Sequence, residues 1–394
     1  MTRRIIPYGR QSIDEEDIAA VAGVLRSDWL TQGPAVPAFE AALSARFGAA
    51  HVVAVNSATS ALHLACLALG VGAGDVVWTT PITFVASANC ALYCGATVDF
   101  VDIDPVTYNM SVTALAQRLA VAAARGCLPK VIIPVHLAGQ PCEMGAISAL
   151  ARRHGVKVIE DASHAVGAEY LGEPVGNCRH SDITVLSFHP VKIITCGEGG
   201  AALTLDPILA QRMELLRSHG ITRDPAQMDE PSHGPWYYQQ LALGLNYRLS
   251  DLHAALGLSQ MRKLDAFVER RRVLAARYDR LLEGLPVIRP WQHPDGQSSW
   301  HLYIVRLPEQ GGSASRSEVF KQLRENGIGV NLHYIPVHLQ PYHRKLRAPG
   351  APALQESERY YAEALSLPLY PDLTDDEQEW VVDCLSLSLA EVTV

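Results

Sequence analysis

The residue whose chemistry stands out most in this sequence is Lys192, a lysine inside an otherwise apolar segment. The segment reads LSFHPVKIITCGEGG over positions 186–200, and the glycines near its end permit a tight turn. A charged amine among apolar neighbours costs free energy unless it loses its proton or is used covalently. A neutral amine is what imine formation with an aldehyde requires. The alternative is a surface lysine whose charged end reaches solvent.

A second candidate is Asp161, in the segment VKVIEDASHAVG at 156–167. The apolar run before it predicts a buried strand, so the carboxylate stands at a strand's carboxyl end, where open α/β sheets bind ligands. A carboxylate there stays ionised only beside a partner, and a protonated ring nitrogen could be that partner. An aspartate that caps a helix explains this segment equally well when it is taken alone.

A third segment, VVAVNSATSALHL at 52–64, predicts a strand, a short polar turn and the immediate start of a helix. The backbone N–H groups of Ala58, Thr59 and Ser60 would then face outward with the helix dipole behind them, as in anion sites. An ordinary Asn or Ser cap is the alternative. Taken together, the three segments offer a phosphate cup, a partner for a ring nitrogen and an imine lysine, which is the set that pyridoxal phosphate needs.

The sequence around these residues predicts alternating strands and helices, which would position them. Short β-branched runs without in/out alternation predict a mostly parallel sheet covered by helices on both faces, an α/β fold. The predicted strands are 52–55, 76–79, 97–101, 131–135 and 156–160, and the predicted helices are 59–69, 84–93 and 144–153. We assign residues 1–257 to this large cofactor-binding domain.

The pattern changes after about residue 257. A long charged helix over 261–282 resembles a connector, and it is followed by a predicted strand (301–307), helix (316–326) and strand (329–333). That content is typical of a smaller α+β domain, so we assign residues 258–394 to it. A chain of 394 residues suits one large and one smaller domain.

Composition narrows the function classes. The formal net charge of −8 disfavours broad nucleic-acid binding, which needs a basic face. No apolar stretch is long enough for a signal peptide or a membrane span. The eight cysteines are scattered, as in a reduced cytoplasmic protein, so we expect a cytoplasmic location.

Histidines at 333, 338 and 343 suggest a metal site at first sight. Their spacing of five does not place them on one helix face, and Pro336 and Pro341 interrupt the segment. We therefore expect no metal.

Eight blocks, in order from about Ile6 to about Leu385, carry a family resemblance. They are LTQGP (30–34), NSATSALH (56–63), TTPITFVASAN (79–89), EDASHAVGAEY (160–170), SFHPVKIITCGEGGA (187–201), RSHGI (217–221), GLNYRLSDLHAALGLSQ (244–260) and HYIPVHLQPYH (333–343). With them the chain resembles the DegT/DnrJ/EryC1/StrS sugar-nucleotide aminotransferases. The resemblance implies the aspartate aminotransferase-like (type I) pyridoxal-phosphate fold.

The resemblance also implies roles around pyridoxal 5'-phosphate, with pyridoxamine 5'-phosphate as the intermediate form. Lys192 would carry the cofactor as a Schiff base and then act as general acid and base, while Asp161 would pair with the pyridine nitrogen. The other implied cofactor contacts are Phe84 on one ring face, Ser163 beneath the other, His164 near the phenolic oxygen, and Ala58, Thr59 and Ser187 at the phosphate.

Further implied contacts concern a second subunit and the substrate. Asn246 would reach the phosphate of the neighbouring subunit's cofactor, so the resemblance implies a homodimer with shared active sites. Tyr8, Thr31, His333 and Tyr334 match positions near the sugar nucleotide. The residue that binds the donor's carboxylate stays open, with Arg248 as a candidate.

Within the family, NSATSALH, SHAVGAEY and SFHPVKIIT look most like the pseudaminic-acid branch. That branch aminates C4 of a UDP-linked 4-keto-6-deoxy-N-acetyl-hexosamine with L-glutamate. The alternatives are a perosamine-type C4 enzyme or a C3 aminotransferase, and a non-catalytic sugar-nucleotide-binding protein on the same fold. The family's 3-dehydratases carry histidine in place of the imine lysine, and the presence of Lys192 argues against that activity.

Overall fold

The computed structural model describes residues 5–308, 315–348 and 350–390. The helices are α1 (Glu15–Leu25), α2 (Ala35–Phe47), α3 (Ala58–Ala68), α4 (Ala86–Tyr93), α5 (Val112–Arg125), α6 (Met144–Arg153), α7 (Pro207–Arg217), α8 (Asp251–Met261), α9 (Leu264–Leu281), α10 (Arg316–Glu325), α11 (Pro341–Leu346), α12 (Gln355–Glu363) and α13 (Asp375–Ala390). The strands are β1 (His51–Val55), β2 (Val76–Thr79), β3 (Thr97–Phe100), β4 (Val131–Ile133), β5 (Lys157–Asp161), β6 (Glu169–Tyr170), β7 (Glu173–Pro174), β8 (Ile183–Ser187), β9 (Gly200–Thr204), β10 (Ile221–Thr222), β11 (Gln239–Gln240), β12 (Gly296–Gln297), β13 (Tyr303–Arg306) and β14 (Ala364–Leu367).

The central sheet has the strand order β1-β9-β8-β5-β4-β2-β3. The neighbours from β8 to β3 pair in parallel, whereas β9 runs antiparallel to both β8 and β1. The predicted mostly parallel sheet is therefore confirmed. Its parallel strands end at one edge, and that edge carries the candidate site.

Both faces of the sheet are covered, which explains why its strands read as continuous apolar runs. In β1, Val52 and Ala54 pack in one buried cluster with residues of α2 and α8. The alternate residues Val53 and Val55 pack in another cluster with residues of α3, α4 and α7. Successive side chains of a strand point to opposite faces, so each face has its own hydrophobic layer.

A second core lies outside this sheet. It joins residues of α9, α10 and α13 to the paired strands β13 and β14. Ile6 also packs here, and its backbone bonds to Gly327 and Gly329. The N-terminal segment therefore crosses to the C-terminal part of the chain before it reaches Tyr8. The proposed domain boundary at residue 257 falls within α8 and remains a prediction.

Most predicted elements occur within about two residues of their expected ends, but one prediction is wrong. Residues 329–333 are not a strand, and they make only isolated backbone pairings. Gly329 donates to the Ile6 carbonyl, whereas Asn331 pairs with Ser366, so this segment changes partner within two residues. Strands β8 and β9, which flank the Lys192 turn, were not among the predicted strands.

Over the described ranges, none of the helices combines the length and the apolar character that a membrane crossing needs.

Candidate active site

A cavity of about 460 Å³ opens at the carboxyl ends of the central strands. It is lined by residues from the ends of β5 and β8, from the starts of α3 and α4, and from segments outside the sheet near residues 8, 301 and 331–334. Lys192 and Asp161 both line it, although the chain between them contains two short strands and β8. Their convergence is the central expectation from the sequence, and the geometry places both in one cavity.

Lys192 lies in a turn between β8 and β9, held by a bond from its own N–H to the His189 carbonyl (2.9 Å). Burial lowers the pKa of its ammonium to about 8, and the nearby carboxylate of Asp161 opposes that shift. Among the described residues no acidic side chain forms an ion pair with it. The amine is thus both accessible to the cavity and easy to deprotonate near neutral pH.

Asp161 ends β5, and both of its carboxylate oxygens are engaged. The Ser87 hydroxyl donates to Oδ2 (2.6 Å), and the Ser163 backbone N–H donates to Oδ1 (3.1 Å). The Thr83 hydroxyl, 2.8 Å from that of Ser87, then serves as donor to it. These donors fix the orientation of the carboxylate.

Helix α3 starts at the floor of the cavity. The Ser57 hydroxyl caps it by accepting the N–H of Ser60 (3.1 Å). The N–H groups of Ala58 and Thr59 bond to no other group within the described ranges, and both residues line the cavity. Gly200 packs so closely that a Cβ there would lie 2.4 Å from the Ala58 nitrogen. The buried Ser187, at the end of β8, also lines the cavity, so hydroxyl and N–H donors converge on an anion site.

His164 and Tyr334 form a hydrogen-bonded pair in the cavity wall. The Ala138 N–H donates to Nδ1 of His164 (3.3 Å), so Nε2 carries the ring proton and donates to the Tyr334 hydroxyl (2.9 Å). Burial, with Lys192 nearby, holds the pKa of His164 well below its ordinary value. Burial also raises the pKa of Tyr334, so this hydroxyl keeps its proton and can donate it to a ligand.

The other wall brings together residues from distant segments. The rings of Tyr8 and His333 lie 5.4 Å apart, and Nδ1 of His333 is 2.8 Å from the Ser366 hydroxyl. Burial lowers the pKa of His333 to about 3, so this histidine is neutral. Phe84 lies at the rim, 58% exposed, with its ring 6.2 Å from that of Tyr334.

Three candidates from the sequence do not reach this cavity in the single chain. Thr31 is exposed and pairs with Ser250, and Asn246 is exposed and pairs with Ser218. Arg248, the candidate for the donor's carboxylate, pairs with Val55 and is not among the lining residues. Lys192, Asp161, His164, Ala58, Thr59, Phe84, Ser163, Ser187, Tyr8, His333 and Tyr334 do line it.

The sequence reasoning missed several lining residues, and Ser57, Ser87 and His301 are among them. Ser87 and Ser57 stand inside blocks that carried the family resemblance, so their position in those motifs was the available signal. His301 was placed at the start of a predicted strand, but the strand begins at Tyr303 and His301 enters the cavity instead. Nothing local to the sequence indicates that outcome.

The three histidines of the C-terminal block separate. His333 contacts Ser366, His338 contacts Glu358 (3.1 Å) and His343 contacts Asn89 (3.0 Å). Each ring is thus directed to a different partner.

The sequence matches the model of the DegT/DnrJ/EryC1/StrS aminotransferase family over residues 11–386. The chain belongs to this family. It is 40% identical to the spore coat polysaccharide biosynthesis protein SpsC of Bacillus subtilis, over 96% of each chain.

Solved structures agree with this assignment. The PseC aminotransferase of Helicobacter pylori, involved in the biosynthesis of pseudoaminic acid, is 31% identical, with a TM-score of 0.88 over 98% of this chain and 99% of that one. The PLP-form of the putative sugar aminotransferase Spr1654 of Streptococcus pneumoniae is 28% identical, with a TM-score of 0.88 over 99% and 100%. A PMP-form of Spr1654 aligns equally well, with a TM-score of 0.88. The fold is therefore the type I pyridoxal-phosphate fold.

This protein is accordingly a pyridoxal-phosphate-dependent sugar aminotransferase. Its cavity fits the cofactor, because two free N–H groups at a helix start and the Ser187 hydroxyl suit a phosphate. The oriented carboxylate of Asp161 suits a protonated ring nitrogen, and the low pKa of the Lys192 amine suits an aldehyde.

Proposed function

We propose that this aminotransferase moves the amino group of L-glutamate to C4 of a UDP-linked 4-keto-6-deoxy-N-acetyl-hexosamine of the L-arabino configuration. The product would be UDP-4-amino-4,6-dideoxy-N-acetyl-β-L-altrosamine, a precursor of pseudaminic acid. The observation that carries the proposal is the cavity in which Lys192 and the anchored Asp161 lie together beside the start of α3. The similarity to PseC supports the choice of sugar.

In this proposal each end of the cofactor has its own residues. Lys192 would hold the aldehyde carbon, Asp161 the ring nitrogen, and Ala58, Thr59 and Ser187 the phosphate. Phe84, Ser163 and His164 would complete the ring contacts. When bound, pyridoxal phosphate supplies an electron sink for the carbon that bears the transferred amino group.

The side chains of the protein then manage protons and orientation. Once released, the Nζ of Lys192 would accept the proton that leaves the amino donor in one half-reaction and would donate a proton to the sugar carbon in the other. Its pKa of about 8 lets it exist in both forms near neutral pH. Asp161 keeps its orientation because Ser87 and Ser163 donate to it. Tyr8, His333 and Tyr334, which line the cavity, would contact the sugar nucleotide.

A second candidate is amination of another nucleotide keto sugar, either at C4 in the manner of a perosamine enzyme or at C3. The similarity to SpsC favours it, because that relative is named for polysaccharide biosynthesis and is 40% identical. Both candidates use the same residues at the cofactor and differ only at the sugar.

The proposal includes a homodimer in the cytoplasm. Asn246 is exposed and lies outside the cavity of its own chain, as expected of a residue that reaches the neighbouring cofactor. Earlier in the same stretch of sequence, Leu243 and Trp236 are 88% and 74% exposed, and burial of such apolar surface favours association. Light scattering tests this point, since a fully active monomer would remove the role of Asn246. The free state of all eight cysteines supports a reducing compartment.

The decisive experiment for the sugar offers the purified enzyme a panel of UDP- and dTDP-linked 4-keto and 3-keto sugars with glutamate. Mass spectrometry detects amination, and NMR assigns the carbon and its configuration. We expect the UDP-linked L-arabino 4-keto sugar to react with the highest kcat/KM. A clear preference for a dTDP sugar or for C3 would overturn the proposed substrate and favour the second candidate.

A further inference from the structure

His301 is a buried histidine of the cavity wall to which the preceding sections assign no role. It is 3% exposed, lines the cavity and has its ring 4.4 Å from that of His164. Its Nδ1 is buried and without a hydrogen-bond partner in the described part of the chain, and no bond to Nε2 occurs there either. Buried polar side chains nearly always find a partner, so an unpartnered imidazole facing a ligand cavity points to a ligand.

The backbone around His301 is fixed from the sheet side. The Ser299 hydroxyl donates to the His164 carbonyl (3.0 Å), and the Leu302 N–H donates to the Ala138 carbonyl (3.3 Å). Gly139 packs against this segment so closely that a Cβ there would lie 3.0 Å from the backbone nitrogen of His301. Trp300, directly before His301, has a φ of 51°. This left-handed conformation is strained for a bulky residue and persists only where its surroundings enforce it.

Arg271 of α9 fixes the same segment from the other side. Its Nη1 donates to the carbonyls of Trp300 (3.2 Å), His301 (3.3 Å) and Leu369 (2.9 Å). Arg271 is 1% exposed, and burial lowers its pKa to about 10, so it stays charged at neutral pH. No carboxylate of the described residues pairs with it. The charge therefore adds a positive potential directly behind His301.

Lys192 adds to this positive potential when it is protonated, whereas His164 and His333 are neutral. Burial is the main reason why the pKa of His301 lies well below its ordinary value. The further contributions come from His164, Lys192, Arg271 and His333. The acidic residues among those lining the cavity are Asp161, which Ser87 and Ser163 engage, and the exposed Glu198. A small anion beside His301 would thus meet cations and hydrogen-bond donors rather than a free carboxylate.

We infer that His301 is the residue that receives a carboxylate of the amino donor, through a hydrogen bond from Nε2, with Arg271 as a positioning residue behind it. The inference rests on the proposed use of L-glutamate. Of the two substrates, the amino donor is the one that carries a carboxylate close to the transferred nitrogen, next to Lys192. The atoms of the keto sugar that react are uncharged, so they do not need this potential.

The test compares His301→Leu, which removes the donor, with His301→Gln, whose amide offers an N–H at a similar reach. Isothermal titration calorimetry measures the affinity of each holoenzyme for glutarate, an unreactive dicarboxylate. Steady-state kinetics gives the KM values for glutamate and for the keto sugar. Because a hydrogen bond to a charged group would be lost, we expect His301→Leu to weaken glutarate binding and to raise the KM for glutamate, each by roughly 10- to 100-fold. We expect His301→Gln to recover most of the affinity and the keto-sugar KM to stay within about twofold.

A matched control is His343→Leu, which removes another buried histidine, one that contacts Asn89 outside this cavity. It should leave glutarate binding unchanged. An equal rise of both KM values, a rise for the sugar alone, or no change in glutarate binding would overturn the inference. If His301→Leu does not fold, His301→Gln is compared with the wild type instead. Full loss of glutarate binding in His301→Gln would also overturn the inference. Wild-type enzyme that uses no glutamate would instead overturn the proposed function.

Discussion

The two ends of the cavity, which we name the cofactor end and the substrate end after the roles proposed above, are built in different ways. At the cofactor end, Asp161 and Ser187 terminate strands of the central sheet, and Ala58 and Thr59 begin the helix that follows β1. At the substrate end, Tyr8, His301 and Tyr334 come from segments outside that sheet and meet through long-range contacts. The first end is attached to the most extensively paired part of the fold.

This difference suggests how such a protein keeps its chemistry while its sugar varies. Groups at the ends of adjacent parallel strands stay in register because backbone hydrogen bonds fix the sheet. Groups on loops depend on a few side-chain contacts, such as those of Ser299 and Arg271, and can change without disturbing the sheet. The predictions below test whether the two ends can be perturbed separately.

The largest effect is expected for Lys192→Ala at the cofactor end. Loss of the amine removes both cofactor attachment and the proton carrier, so kcat should fall by about 10⁴-fold or more. Turnover assays and the visible absorbance of the bound cofactor measure this. Lys321→Ala, at an exposed lysine of α10, is the control and should retain full activity. Substantial turnover by the Lys192 variant would rule out the assigned role.

Asp161→Asn should lower kcat by roughly 10²- to 10³-fold, the size usual for loss of one fixed electrostatic contact in an active site. The amide keeps the size of the side chain but cannot stabilise a protonated ring nitrogen. We expect folding to be retained, as checked by circular dichroism. Normal turnover in this variant would contradict the pairing of Asp161 with the ring.

Ser87→Ala should weaken cofactor binding by about 10-fold, because it removes a charge-assisted hydrogen bond of 2.6 Å to Asp161. Equilibrium dialysis of the cofactor measures the change. The KM for the keto sugar should not move. If cofactor affinity is unaltered while the sugar KM rises, the division between the two ends is incorrect.

Tyr334→Phe should have a smaller effect, about threefold to 10-fold on kcat/KM for the keto sugar, as expected for loss of a net hydrogen bond. His164 loses the acceptor of its Nε2 proton, but Asp161 and its donors are untouched. Cofactor retention should therefore equal that of the wild type. A parallel loss of cofactor would show that Tyr334 acts at the other end.

The subtlest test is the titration of Lys192 in the cofactor-free protein. Competitive acylation read by mass spectrometry should show the amine becoming reactive as pH rises through about 8, rather than the ordinary 10.5. Between these values the unfolded chain binds more protons than the folded one, so stability should increase with pH across that window. A midpoint near 10.5 would mean that burial does not act on this amine.

Much of the cofactor end could be predicted from the sequence, because its information is local. A β-branched run followed by Asp161, and a polar turn that opens a helix at Ala58, each specify strand, turn and side chain within a dozen residues. The failed prediction lies at the other end. Residues 329–333 read as a strand, but they bond first to Ile6 and then to Ser366, and no periodicity encodes partners so far apart.

The sequence by itself therefore determined the alternation of strands and helices, the mostly parallel sheet, and Lys192 and Asp161 as the candidate reactive pair. Only the tertiary structure decided that Ser87 anchors Asp161, that His164 donates to Tyr334, and that His301 faces the cavity in front of Arg271. The physical reason is the separation along the chain over which each effect acts. Hydrophobic periodicity and capping act between neighbours in the chain, whereas the orientation and charge state of a buried polar group depend on whichever residues the fold packs around it.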